Sequence, residues 1–232
     1  MLAICGGLMR TGSVNMFQIM REIAESQDKG YAPIMPLNHE EEFFLEHLKE
    51  WANDTRRIVI KSHLWRNELE PYADKMKVIV TIRDMRDVVV SLMNFRNGTF
   101  ESSLNSNAFK RNIVGQKEWQ EKVPKKNLFV IKYEDFIHNR IAITERVADF
   151  IGVPVSRLGA FEIENKWNLS ANLRRAKEGY PANSPYYMSE RHISSGRDGQ
   201  WKTALTEEQI AQVEETAGKN WFRSNGYKLW KD

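Results

Sequence analysis

The chain has 232 residues, 41% hydrophobic and 28% charged, with 34 Lys and Arg against 31 Asp and Glu for a formal charge of +3. That is the make-up of a globular protein long enough for a sizeable core, and we read residues 1–232 as a single domain. The slight positive excess makes no case for nucleic-acid or membrane binding, although it allows a local basic pocket for an anion.

In chain order, residues 2–5 read as a buried strand with no basic segment before it, which argues against a signal peptide. Cys5, the single cysteine, excludes an internal disulfide and reads as a small buried hydrophobe in a reducing, cytoplasmic setting. The stretch "GLMRTGSVNM" follows, with Gly7 and Gly12 in the spacing of a phosphate-binding turn, then a helix over 16–24. An acidic-faced helix is expected over 40–51. A strand over 58–60 delivers Lys61, Ser62 and His63 to its end. A third strand, 78–82, leads through Arg83 into a helix over 87–95, and a charged helix covers 108–122. The fourth strand, 128–131, precedes a helix over 141–151. Residues 165–200 hold Pro181, Pro185, Tyr180, Tyr186 and Tyr187 and read as a long, partly irregular segment, of the kind that forms lids or binding loops. Thr206 followed by Glu207, Glu208 and Gln209 starts a last helix, expected over 205–221. No apolar run approaches the ~20 residues of a membrane span.

Strands alternating with helices predict an α/β domain with a parallel central sheet flanked by helices, whose ligands bind at the carboxyl ends of the strands. Four segments lie at such ends. The opening glycine turn can wrap backbone N–H groups around an anion, with Arg10 as a fixed charge and Thr11 and Ser13 as hydroxyl donors. Lys61 and His63 share one side of their strand, where an imidazole suits proton abstraction and an ammonium suits developing negative charge. Arg83 and Ser91 converge on one phosphate if the intervening turn folds back; otherwise Arg83, Asp84, Arg86 and Asp87 are ion pairs and helix caps. Residues 194–209 offer Arg197 and Lys202 beside Gly196 and Gly199, either as a basic loop over an anion or as a turn in which Trp201 packs inward.

Taken together and in this order, the segments resemble the sulfotransferases that use 3′-phosphoadenosine 5′-phosphosulfate (PAPS). "MRTGSV" is similar to the R-S-G-S-S phosphosulfate loop of carbohydrate-acting members, "IKSH" to K-T-H, and "RDMRDVVVSLMNF" to the R-D-P-R-D-V-x-V-S-x-x-x-F segment. "KYEDF" resembles Y-Y-E-D, and "GRDGQWK" the late glycine-rich loop. The resemblance implies a P-loop NTPase-like fold, PAPS as donor, PAP as product, no metal and a small-molecule acceptor. By the same resemblance His63 is the general base, and Lys61 and Arg10 are its catalytic partners. Arg10, Thr11, Gly12, Ser13, Val14, Arg83, Ser91, Tyr133, Arg197, Gly199 and Lys202 then hold the cofactor. Acceptor walls are expected in residues 31–44 and 96–109 and in the aromatic loop around Trp167, Tyr180, Tyr186 and Tyr187.

The departures from the pattern are specific. Val14 replaces a hydroxyl, Asn15 stands where cytosolic members stack a tryptophan on adenine, and Ser194 and Ser195 replace an Arg-Lys pair, with Arg191 or Arg197 as substitutes. The family's dimerisation pattern is broken at Glu207 and Ala211, so no oligomeric state is carried over. Two alternatives stay open. A P-loop kinase requires Lys after Gly12, where Ser13 stands. A binding module of this fold that has lost activity is favoured by the departures and opposed by the intact Lys61–His63 pair.

Overall fold

The computed structural model describes residues 1–26, 30–33, 40–180, 193 and 196–231. Five strands, β1 (Leu2–Cys5), β2 (Gly30–Tyr31), β3 (Arg57–Lys61), β4 (Lys77–Ile82) and β5 (Leu128–Lys132), form one parallel sheet in the order β2-β3-β1-β4-β5. The parallel sheet is as expected; β2 carries no apolar run and was beyond the reach of the pattern. Strand order reverses at β1, which pairs Leu2 to Ile58 on one side and Ala3 to Lys77 on the other. A crevice opens beyond the carboxyl end of a strand in that position.

Strands buried on both faces explain the near-continuous apolar runs. Leu2, Ile4, Ile58, Ile60, Val78 and Val80 pack to one side with Trp51 of α2 (Glu40–Asn53) and Trp119 of α5 (Asn107–Lys122). Ala3, Cys5, Val59, Ile79 and Ile131 face the other side and meet Met16, Ile19 and Ile23 of α1 (Ser13–Glu25). Cys5 is fully buried, and desolvation pushes its thiol pKa up to about 11, so it behaves as the inert hydrophobe expected. A third cluster joins α3 (Met85–Arg96) and α4 (Phe100–Leu104) to the C-terminal helices.

Two expectations need correction. The segment from 165 is helical far beyond its start: α8 (Arg157–Trp167) follows α6 (Tyr133–His138) and α7 (Arg140–Phe150), and α9 (Leu169–Glu178) follows at once. Asn168 restarts the helix by accepting the Ala171 N–H on its side chain at 2.9 Å. Trp167 is fully buried between the Arg21 and Arg175 guanidiniums, 5.2 and 4.1 Å from its ring, which makes it core rather than an acceptor wall. Tyr186 and Tyr187, like Arg191, Ser194 and Ser195, lie outside the described residues. The last helix is also two. After α10 (Trp201–Ala204), α11 (Glu207–Ala217) begins on the expected capping box of Thr206 and Gln209 and stops at Gly218, whose φ of +85° suits glycine; α12 (Lys219–Ser224) resumes.

Candidate active site

A cavity of about 440 Å³ opens at the carboxyl edge of the sheet. Its lining includes Arg10, Gly12, Ser13, Val14, Lys61, His63, Arg83, Ser91 and Tyr133, so nine of the sequence-predicted residues meet in one place. They come from the segments that follow β1, β3, β4 and β5, Ser91 from the helix after β4.

The opening loop turns tightly between β1 and α1. A Cβ on Gly7 would overlap Ser13 Cβ and Thr81 Oγ1, and Gly12 takes a φ of +83° against the Tyr133 ring. Arg10 also sits at positive φ, +65°, an uncommon state for a side-chain-bearing residue. The N-terminus of α1 follows, with no acidic residue in its first turn, so its unpaired N–H groups and dipole favour an anion. The hydroxyls expected as anion donors turn the other way. Thr11 Oγ1 donates to the Leu8 carbonyl at 2.7 Å and meets Thr81 Oγ1 at 2.8 Å, while Ser13 Oγ donates to the same carbonyl at 3.0 Å. They brace the loop from inside.

β3 ends at Lys61, and both Lys61 and His63 reach the cavity. His63 Nδ1 lies 2.6 Å from the Gly7 carbonyl. A carbonyl can only accept, so the proton belongs on Nδ1 and the Nε2 lone pair is the basic one.

β4 ends at Ile82 and Arg83 follows it, only 2% exposed. Its guanidinium stacks 4.2 Å from the Tyr133 ring centroid and donates to the Arg10 carbonyl at 3.4 Å and the Arg197 carbonyl at 2.7 Å. Ser91, two turns into α3, accepts from Arg10 Nε at 3.0 Å and keeps its own O–H to donate. The connecting turn therefore does fold back. The neighbouring charges divide: Asp84 caps α3 and pairs with Arg86, which also pairs with Glu214, all of them buried, so that half of the cluster is structural.

Charge is crowded here. Arg10 stands over the Phe95 ring at 4.6 Å, and burial together with the Arg83 charge lowers its pKa to about 10. The side chain stays protonated in the physiological range, and the lowering has burial and the neighbouring Arg83 charge as its causes. Arg83 Nε is buried with no hydrogen-bond partner. An anion would relieve both.

The late loop behaves differently from expectation. Gly196 lines the cavity, but Gly199 and Lys202 line a separate depression of about 340 Å³ with Trp201 and Tyr227. What Arg197 supplies to the site is its backbone carbonyl, held by Arg83. The opposite wall comes from α6 to α9: Phe136, at the end of the KYEDF segment, and Arg140, Asn168, Leu169 and Asn172, which no motif marked. Among the described residues, no cluster of three or more His, Cys, Asp or Glu could hold a metal ion, and no helix is long and apolar enough to cross a membrane.

The model of the sulfotransferase domain matches residues 7–225. A flavonol sulfotransferase-like protein of Flaveria bidentis is 27% identical over 226 residues, spanning 82% of this chain and 71% of that protein. The flavonol 3-sulfotransferase of the same organism is 22% identical over 204 residues, spanning 73% and 63%. Among solved structures, mouse sulfotransferase SULT7A1 complexed with PAP superposes with a TM-score of 0.70 at 15% identity, over 93% of this chain and 82% of that one. Retinol dehydratase in complex with androsterone and inactive cofactor PAP gives a TM-score of 0.66 at 18% identity, over 100% and 82%. Likeness at those identities shows a shared fold.

Proposed function

The chain belongs to the sulfotransferase family, whose domain model matches residues 7–225, and from that premise we propose that it transfers a sulfuryl group from PAPS to a hydroxyl, or an amine, of a small-molecule acceptor in the cytoplasm. One observation carries the reading: Arg10 and Arg83 crowd one cavity with the N-terminus of α1, and that cavity also holds Lys61 and His63. An anion site and a base thus share one chamber. The residues fit the donor. Arg83, with its unpartnered Nε, and Ser91 would hold the 3′-phosphate. Arg10, Gly12, Val14 and the first turn of α1 would face the 5′ end, and Tyr133 would lie near the base.

PAPS, when bound, supplies an activated sulfuryl group on a phosphate leaving group. The chain's own residues do the rest by positioning and electrostatics. His63, its Nδ1–H held by the Gly7 carbonyl, presents Nε2 to take the proton of the acceptor hydroxyl. Lys61 and Arg10 place positive charge where negative charge develops. Met9 and Phe95 give the cavity an apolar wall that suits an acceptor with an apolar body. The test is turnover: labelled PAPS is offered with a library of phenols, alcohols, amines and sugars, with EDTA present. Transfer to any member without added metal supports the proposal. Tight PAP binding with no transfer to any member would instead identify an inactive binding module, and stabilisation by Mg·ATP alone a kinase.

A further inference from the structure

We propose that Asp87 is a positioning residue for the donor site, tying the 196–201 loop to Arg83 so that the two act as one anion-binding unit; this rests on the reading above. Asp87 lies in the first turn of α3, one turn past Arg83, and its side chain is 0% exposed. A carboxylate so buried beside an anion site looks misplaced, since it should repel the ligand. Its contacts explain it. Oδ2 accepts the Gly199 N–H at 2.7 Å and Oδ1 accepts the Trp201 N–H at 3.1 Å. Both oxygens are thus committed to the backbone of the late loop, as charge-assisted hydrogen bonds.

Arg83 completes the tie. Its Nη2 lies 3.6 Å from Asp87 Oδ2 and donates to the Arg197 carbonyl at 2.7 Å. Its Nη1 donates to the Arg10 carbonyl in the opening loop. One guanidinium is strung between the two loops that flank the cavity, and Asp87 braces it from behind while holding the later loop at two further points. Burial raises the Asp87 pKa, and Arg83 with the two N–H donors opposes that shift, so the carboxylate depends on these partners. Gly196, at the start of the loop, lines the cavity. The late loop therefore reaches the site through its backbone and its anchoring, rather than through Lys202.

The test is Asp87→Asn, which keeps the shape but turns an NH₂ toward a backbone N–H or toward Arg83. Asp87 as a positioning residue predicts a rise of about 10- to 100-fold in the Kd for PAP. It also predicts a parallel rise in the KM for PAPS with kcat within about threefold, because the chemistry at His63 is untouched. Were Asp87 only a counter-charge, its removal would tighten PAP, and an unchanged or lower Kd overturns the proposal. Should the variant not fold, amide exchange in the wild-type protein decides. The Gly199 and Trp201 N–H groups are expected to exchange at least about 100-fold more slowly than in an unstructured peptide, and unprotected exchange refutes the tie. Wild-type PAP binding, run in parallel, separates the two ideas: its absence sinks the donor assignment, whereas equal binding by wild type and variant sinks only the role of Asp87.

Discussion

On the sheet side of the cavity most functional side chains sit at or just past a strand end: Lys61 closes β3, Arg83 and Tyr133 follow the last residues of β4 and β5, and His63 lies two positions past β3. Arg10 comes from the loop after β1 and Ser91 from α3. The opposite wall, with Phe136, Arg140, Asn168, Leu169 and Asn172, comes from α6, α7, α9 and the cap between α8 and α9, and of these helices only α6 directly follows a strand. Strand register sets a side chain's place to within a residue, so the first wall is rigid and local in sequence. The second wall is placed by packing between helices, spread over many contacts. We therefore expect chemistry and phosphate recognition on the sheet side, and fit and stability on the helical side.

The sharpest way to break this division is His63→Ala. It should lower kcat by about 10²–10⁴-fold while PAP binds within about twofold of wild type, because the imidazole acts on the acceptor's proton. Single-turnover assays and calorimetry read the two separately, and a loss confined to binding would contradict the assignment. Next is Arg83→Ala, which should raise the PAP Kd by about 30-fold or more, the usual cost of truncating one partner of a desolvated charge pair.

The helical wall should respond in stability instead. Arg140 Nε pairs with Glu164, and Arg140 Nη2 donates to the Trp167 carbonyl at 3.2 Å. Burial raises the Glu164 pKa, and Arg140 opposes the shift. A carboxyl with a raised folded pKa costs nothing below its unfolded pKa and its full penalty above the folded one. Arg140→Met removes the opposing charge, so the variant should lose about 1–3 kcal/mol at pH 7–8 and much less near pH 4. Thermal melts across that range check it, and a pH-independent loss would mean that Glu164 is not responsible. The smallest effect is expected of Tyr133→Leu, which removes the ring beneath Arg83. A cation–π contact of about 0.5–2 kcal/mol predicts a PAP Kd roughly 2- to 30-fold higher, with kcat unmoved.

The same contrast governs what was legible in the amino-acid order. The four principal strands and the helices after β1 and β4 were readable because apolar runs and glycine turns are local signals. Arg10, Lys61, His63, Arg83 and Ser91 came with them. The helices of 157–178 were not, since Trp167 is covered by arginines and the segment reads as polar and aromatic. Gly218 interrupts a helical pattern that continues on both sides of it, and only its positive φ shows the break. Thr11 and Ser13 belong to the opening loop, of which only Ser13 lines the cavity, and the loop's own carbonyl at Leu8 claims both hydroxyls. Asp87 looked like an ordinary helix-start acid, and its partners Gly199 and Trp201 lie more than a hundred residues away.

The most direct test of the central claim compares PAP with 5′-AMP, which lacks the 3′-phosphate, by calorimetry in EDTA on wild type and Arg83→Ala. If Arg83 holds that phosphate, wild type prefers PAP by at least about tenfold and the preference falls to near one in the variant, with 5′-AMP binding little changed. A variant that still prefers PAP as strongly as wild type, or a wild type indifferent to the 3′-phosphate, would contradict it.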